Sequence, residues 1–131
     1  MNIFICDDNA EQSSLCKQAI LRLSRQHCVH AKIKAFPSGD AMLFEAEDAY
    51  ATLNLVYLDI HMPGQNGMET AKRLREIGYL GDIVFFTVSP DFAIAGYDVS
   101  ALHYMVKNKT TDEKFEEIFL RACERKARRE S

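Results

Sequence analysis

The side chain with the clearest chemical potential is the carboxylate of Asp59, which closes a short apolar run. Residues 55–58 are all apolar, and the turn residues Pro63 and Gly64 follow soon after Asp59. An apolar run of this length, bounded by turn residues, is typical of a strand buried on both faces. Asp59 is then expected at the carboxyl end of that strand. In open α/β sheets this end faces the crevice where ligands bind.

Three other apolar runs also stop at side chains that could do chemistry. The run 2–6 is followed by Asp7 and Asp8. The run 82–87 ends on the hydroxyl of Thr87, and the run 101–106 is followed by Lys107. If their strands share a sheet, three carboxylates, a hydroxyl and an ammonium meet at one edge.

Three carboxylates at close range raise one another's pKa values unless a cation compensates their charge. Mg²⁺ suits such a set, because it prefers carboxylate oxygens and commonly bridges them to a phosphate. Phosphoryl transfer needs an in-line nucleophile with cations around the equatorial oxygens, and a carboxylate nucleophile gives an acyl phosphate. We therefore expect Asp59 to accept a phosphoryl group, with Thr87 and Lys107 contacting it.

The elements that must position these residues alternate as strand then helix, five times. The first three helices are expected to run to about Arg25, Tyr50 and Ile77, the second with Phe44 in the core. Asp8 or Asn9, Ser38 and Asn66 are the predicted N-caps of these helices. The signals of Ser89-Pro90-Asp91 predict a short fourth helix that fails near Gly96, and Thr110 is expected to open the last one.

The fold class follows from this alternation. The pattern predicts a parallel sheet with helices on both faces, joined by right-handed crossovers. Residues 29–36 alternate apolar side chains with His30, Lys32 and Lys34, which is typical of a half-exposed edge strand. An edge strand in second position fits a flavodoxin-like (βα)5 three-layer sandwich with strand order 2-1-3-4-5. The order makes strands 1 and 3 neighbours, so Asp7, Asp8 and Asp59 converge.

Composition narrows the class of protein. The chain has 131 residues, enough for one domain spanning 1–131, and no apolar run is long enough to cross a bilayer. Its four cysteines form no CxxC pair, so reduced thiols in the cytoplasm are expected. The net charge of −3 argues against a surface devoted to nucleic acid.

Taken together, Asp7-Asp8, Asp59 with Met62-Pro63-Gly64, Thr87 and Lys107 resemble the receiver domain of two-component response regulators. The resemblance covers essentially the whole chain. The stretch from Thr87 to Lys107, and within it Ala101-Leu102-His103-Tyr104, looks most like receivers of the LytTR regulators (AgrA/LytR/AlgR-like).

The resemblance implies roles for single residues. Asp59 would be phosphorylated by a sensor histidine kinase. Asp8, Asp59 and the backbone carbonyl of His61 would hold Mg²⁺ directly, with Asp7 acting through water. Lys107 and Thr87 would contact the phosphoryl group.

For the output, the resemblance implies a switch in which Tyr104 turns inward when Thr87 moves. The surface of the fourth helix, fifth strand and fifth helix would then change, often to pair with a second receiver. DNA would be reached only through an output domain, which is not within these residues.

Asn108 departs from the family pattern, which usually has a proline in a cis bond after the lysine. Either Asn108 keeps a cis bond, at a cost of about 3 kcal/mol, or the bond is trans and Lys107 is aimed differently.

Two other functions stay open: a Mg²⁺-dependent phosphohydrolase with an aspartyl nucleophile, and a receiver-like module that binds partners without phosphate. The phosphohydrolase usually has a second aspartate two residues after the nucleophile, where this chain has His61. The leading interpretation is a regulatory phosphoacceptor rather than an enzyme with a soluble product.

Overall fold

The computed structural model describes all 131 residues and contains one five-stranded sheet. The strands are β1 (Asn2–Cys6), β2 (Lys32–Phe36), β3 (Leu55–Leu58), β4 (Asp82–Thr87) and β5 (His103–Val106). They are parallel and lie in the order β2-β1-β3-β4-β5, which confirms the predicted topology. Cys6 pairs with Leu58 across β1 and β3, so the residues that follow these two strands emerge side by side.

Four α-helices cover the two faces of the sheet. They are α1 (Ala10–Gln26), α2 (Gly39–Ala49), α3 (Gly67–Glu76) and α4 (Asp112–Glu130). The predicted caps of the first three are present: the side chains of Asn9, Ser38 and Asn66 each accept a hydrogen bond from a backbone N–H in the first turn. No helix combines the length and the hydropathy that crossing a membrane requires.

The core consists of two apolar layers, one on each side of the sheet. Alternate residues of a strand point to opposite faces, and in β3 Val56 and Leu58 enter the layer under α2 and α3. Leu55 and Tyr57 enter the layer under α1 and α4. This arrangement is the expected three-layer sandwich, and it explains why β3 reads as a continuous apolar run.

The short fourth helix is present, but its bounds and its type differ from the prediction. The chain forms a turn after Pro90 and then a 3-10 helix, Ile94–Val99, which runs through Gly96 instead of failing there. The Ser89 hydroxyl accepts a hydrogen bond from the Asp91 N–H at 3.2 Å, so it closes a local turn. No side chain caps the 3-10 helix. Without a cap, this short segment containing a glycine does not support α-helical geometry.

Three smaller predictions were also wrong. Phe44 is 76% exposed, because Met42, Leu43 and Ala46 form the buried side of α2 and Phe44 lies on the other side. Thr111 rather than Thr110 caps α4, since the Thr110 hydroxyl donates instead to the Val106 carbonyl. The second strand begins at Lys32, three residues later than predicted.

Candidate functional site

Three carboxylates meet at the carboxyl edge of the sheet. Asp7 and Asp8 follow β1 and Asp59 follows β3, and one oxygen from each lies within 4.8 Å of the others. Asp7 and Asp59 are buried, whereas Asp8 is exposed. The Oδ1 oxygen of Asp59 is buried without a hydrogen-bond partner. A cluster of hard oxygen ligands, one of which is unsatisfied, fits a divalent cation such as Mg²⁺.

Lys107 brings a buried ammonium to this cluster from the end of β5. Its Nζ lies 2.6 Å from Asp7 Oδ2 and 3.8 Å from Asp59 Oδ2. Its backbone N–H donates to the Thr87 carbonyl at 2.7 Å, which ties the end of β5 to the end of β4. The Thr87 side chain is fully buried, and its hydroxyl has no hydrogen-bond partner of normal geometry.

The groups around Asp59 shift the pKa of its carboxyl in both directions. Burial raises its pKa above the ordinary value, and the nearby charge of Asp7 adds to that effect. The Thr87 hydroxyl and the Lys107 ammonium favour the ionised form, but burial outweighs them. The Lys107 ammonium therefore does not fully compensate the charge of the Asp59 carboxylate. A further cation bound beside it would stabilise the ionised form.

The loop after Asp59 is fixed by a close backbone approach from α3. The Asp59 N–H donates to the Cys6 carbonyl at 3.0 Å, and the Gly67 N–H donates to the Ile60 carbonyl at 2.9 Å. A Cβ on Gly67 would lie only 2.0 Å from the Asp59 carbonyl oxygen. The first residue of α3 must therefore lack a side chain for Asp59 to hold this position.

His61 and Tyr104 are placed differently from the central cluster. The exposed His61 ring packs edge-on against Phe92, with centroids 5.8 Å apart. Tyr104 on β5 is half-buried and packs near Phe85, with centroids 5.7 Å apart. The Tyr104 hydroxyl donates to the carbonyl of Ser89, two residues after Thr87. The structure thus brings five predicted residues together and connects Tyr104 to them through the backbone after β4.

The peptide bond between Lys107 and Asn108 is trans, since the chain has no cis bonds. Asn108 takes a left-handed conformation with φ of 69°, which asparagine tolerates better than most residues. Of the two alternatives left by the sequence, the trans bond is the one found. Lys107 nevertheless reaches Asp7 and Asp59.

Sequence reasoning missed two residues that support the site. Phe86 belongs to the apolar run 82–87, but it is only half-buried and its ring faces the Lys107 ammonium at 5.7 Å. Gly67 was passed over, although a glycine directly after a capping asparagine indicates a close backbone contact. Nothing in the sequence pattern distinguishes Phe86 from its neighbour Phe85.

Comparisons with known proteins agree with this geometry. A family model described as the response regulator receiver domain matches residues 3–119. The sensory transduction protein LytT of Oceanobacillus iheyensis is 29% identical over 100 residues, which cover 75% of this chain and 40% of that protein. The positive alginate biosynthesis regulatory protein of Pseudomonas aeruginosa is 31% identical over 107 residues, which cover 82% of this chain and 41% of that protein. The matched segments therefore span only about two fifths of the length of these curated relatives.

Solved structures show the same fold at low sequence identity. A response regulator receiver domain protein from Clostridium thermocellum superposes with a TM-score of 0.82 at 19% identity and covers 96% of both chains. The REC domain of AraT from Geobacillus stearothermophilus gives a TM-score of 0.80 at 18% identity, covering 99% of this chain and 98% of that one. With the family model matching most of its length, the chain belongs to the response regulator receiver domain family, and LytT-type regulators are among its relatives.

Proposed function

We propose that this chain is a phosphorylation-controlled receiver in which Asp59 accepts a phosphoryl group from a sensor histidine kinase. The observation that carries the proposal is the unsatisfied Asp59 Oδ1, which is buried beside the unpartnered Thr87 hydroxyl and the Lys107 ammonium. A nucleophile, a hydrogen-bond donor and a cation at one point are what phosphoryl transfer requires.

In this role each residue performs a separate task. One oxygen of Asp59 attacks the phosphorus, and the bond from phosphorus to the kinase histidine breaks. The Lys107 ammonium, 3.8 Å from Asp59 Oδ2, pairs with a phosphoryl oxygen and offsets its charge. The Thr87 hydroxyl donates to another of these oxygens and gains the partner that it lacks.

The acidic cluster would hold Mg²⁺ through Asp8, Asp59 and the backbone carbonyl of His61, with Asp7 acting through water. When bound, the ion neutralises negative charge on the carboxylates and on the phosphoryl oxygens. The site fits this ion because its three carboxylates lie within 4.8 Å and have only one ammonium close to them.

The output of the switch runs through Thr87 and Tyr104. A shift of Thr87 toward the phosphoryl group displaces Ser89, whose carbonyl accepts the Tyr104 hydroxyl, so Tyr104 is released to turn inward. Phosphorylation thereby changes the surface formed by the 3-10 helix, β5 and α4. On this surface Ile94 is 84% exposed and Tyr97 is 85% exposed. Phosphorylation supplies the differential stability that shifts the equilibrium between the two states.

This surface controls pairing with a second receiver or the activity of a DNA-binding output domain. One of the curated relatives is named as a sensory transduction protein and the other as a regulatory protein, and both are about twice as long as this chain, which suits a receiver attached to an output domain. The only chemistry of the chain is then its own phosphorylation and dephosphorylation. We place this role in the cytoplasm, where the four free cysteines stay reduced.

Intact mass after incubation with acetyl phosphate and Mg²⁺ tests the proposal. The native chain should gain one phosphoryl group that hydroxylamine removes, and Asp59→Asn should gain none. Asp40→Asn is the matched control, because Asp40 is an exposed carboxylate in the first turn of α2, outside the carboxylate cluster. Size-exclusion chromatography of the phosphorylated sample then tests pairing.

Two outcomes would overturn the proposal in different ways. Steady release of phosphate from a panel of phosphate esters, lost in Asp59→Asn, would make the chain a phosphohydrolase. Absence of an adduct together with absence of Mg²⁺ binding would make it a module that binds partners without phosphate.

A further inference from the structure

We propose that Phe86 is a positioning residue whose ring holds the Lys107 ammonium at the phosphoacceptor site through a cation–π interaction. The inference rests on the proposed function, because it concerns how Lys107 is aimed at the phosphoryl group. Phe86 is the residue before Thr87 on β4, and its ring centroid lies 5.7 Å from Lys107 Nζ. This distance is within the range over which an ammonium is attracted to the face of an aromatic ring.

The surroundings of the Lys107 ammonium leave a clear place for the ring. The ammonium donates one short hydrogen bond, to Asp7 Oδ2 at 2.6 Å. Asp59 Oδ2, at 3.8 Å, is beyond hydrogen-bond distance. The Lys107 side chain is only 6% exposed, so water provides little solvation for the rest of the charge. The Phe86 ring supplies a negative π face where solvent is largely excluded.

The backbone at Lys107 does not by itself fix the side chain. The bond to Asn108 is trans, and Asn108 turns the chain through a left-handed conformation. The Lys107 N–H is held by the Thr87 carbonyl and the Lys109 N–H by the Val106 carbonyl, so the main chain is anchored on both sides. The long lysine side chain keeps its rotational freedom beyond Cβ unless other groups restrict it. Asp7 restricts it at the tip, and Phe86 restricts it from the side.

Phe86 is itself held by the first turn of α4. Its ring packs edge-on against Phe115 with centroids 5.7 Å apart, and Phe115 stacks on Tyr57 at 5.6 Å with an interplanar angle of 9°. Phe115 and Tyr57 are both buried. The half-buried Phe86 is therefore the outer member of a fixed aromatic stack, and it presents one face to Lys107.

The first experiment measures the contact without any phosphoryl donor. Protons on the Lys107 carbon next to Nζ should show an NMR shift upfield from the position of exposed lysines, because they lie over an aromatic ring. The shift should disappear in Phe86→Leu and remain in Phe86→Tyr. Lys109, which is exposed, is the internal reference. An unshifted Lys107 in the native chain would overturn the proposal.

The second experiment measures the consequence for phosphoryl acceptance. Replacing Phe86 with 4-fluoro-, 3,5-difluoro- and pentafluorophenylalanine keeps the shape of the ring but progressively removes its negative face. The rate of adduct formation from acetyl phosphate should fall with each step, by about fivefold overall, as expected for a cation–π contact. Phe86→Tyr should retain the native rate. The same fluorinated series at Phe4, whose ring packs on Phe36 instead of a cation, should leave the rate unchanged.

The outcomes separate this inference from the proposed function. If the native chain forms no adduct, the proposed function fails, and the NMR shift still decides whether the ring holds the ammonium. If the adduct forms at the same rate throughout the Phe86 fluorinated series, the positioning role is overturned while the phosphoacceptor role stands. A loss of rate in both the Phe86 and the Phe4 series would show a general packing effect and would also overturn the inference.

Discussion

The Lys107 ammonium and the Asp7 carboxylate form a buried ion pair across the edge of the sheet, with 2.6 Å between Nζ and Oδ2. Their side chains are 6% and 7% exposed, so each charge depends on the other for solvation. Asp59 lies close enough to share the same ammonium. Lys107 is therefore the counter-ion of the acidic cluster when no metal is bound, and Mg²⁺ would compete with it for the same carboxylates.

Lys107→Met should make the stability of the chain depend strongly on Mg²⁺. Without metal, the variant leaves two buried carboxylates facing each other, and its free energy of unfolding should fall by about 3 kcal/mol. Added Mg²⁺ should recover most of this loss and should stabilise the variant more than the native chain. Urea denaturation with a chelator and with MgCl₂ measures both quantities. Lys109→Met, at an exposed lysine, is the control. Equal stabilisation of the native chain and of Lys107→Met by Mg²⁺ would contradict the counter-ion role.

Two fully buried tyrosines should respond in opposite directions to loss of the hydroxyl. The Tyr57 hydroxyl has no hydrogen-bond partner, whereas the Tyr79 hydroxyl donates to the Asp82 carbonyl at 2.8 Å. Tyr57→Phe removes an unsatisfied polar group and should raise the free energy of unfolding by about 1 kcal/mol. Tyr79→Phe leaves a buried carbonyl without its donor and should lower the free energy of unfolding by about 1 kcal/mol.

Chemical denaturation of this matched pair is the measurement. Because the same atom is removed from the same residue type, differences in size and in hydrophobicity cancel. A loss of stability in Tyr57→Phe similar to that in Tyr79→Phe would mean that a partner such as a buried water satisfies the Tyr57 hydroxyl.

Gly67→Ala should damage both the stability of the chain and the proposed phosphoacceptor site. The new Cβ would lie 2.0 Å from the Asp59 carbonyl oxygen, so α3 or the Asp59 loop must move. Overpacking of this kind costs about 1–3 kcal/mol, and the displaced Asp59 should accept phosphoryl groups more slowly. Gly96→Ala is the control, since its Cβ would meet no atom closer than 3.6 Å. Stability and mass-shift kinetics equal to those of the native chain would show that the loop adapts without cost.

The sequence was sufficient to predict the features that depend on local patterns. Continuous apolar runs gave the buried strands, and a polar residue at the end of each run located Asp7, Asp59, Thr87 and Lys107 at one edge. Cap signals at Asn9, Ser38 and Asn66 were correct because a capping side chain bonds to backbone only a few residues away. These inferences needed no knowledge of tertiary contacts.

The remaining features depend on contacts between distant segments. Phe44 and Phe86 look like core residues in the sequence, but exposure depends on what packs over each of them. The 3-10 helix replaced an expected α-helix because the Ser89 hydroxyl closes a local turn instead of capping a helix. The contact between Phe86 and Lys107 joins β4 to β5, so no spacing along the chain indicates it.

The last two turns of α4 lie beyond the region that the family model matches, and they are fastened to the start of β4. Asp82 is 2% exposed, and its carboxylate accepts from Arg125 Nε at 2.7 Å and from Arg129 at 3.5 Å. The Arg129 guanidinium also donates to the Asn54 carbonyl at 3.4 Å. These contacts hold the end of α4 against the edge of the sheet opposite to the carboxylate cluster.

Arg125→Met should lower the free energy of unfolding by about 2 kcal/mol, because a charged hydrogen bond is lost and a buried carboxylate is left with its more distant arginine. Arg128→Met is the matched control. Arg128 is 79% exposed and pairs with Glu124 only at 4.0 Å, so its loss should change stability by less than about 0.5 kcal/mol.

Urea denaturation at low and high salt measures the difference between the Arg125 and Arg128 variants. The Arg125 effect should persist at high salt, since burial of Asp82 protects its pair from screening. An effect that disappears in salt would mean that the pair behaves as a surface interaction and that the end of α4 is held mainly by its apolar contacts.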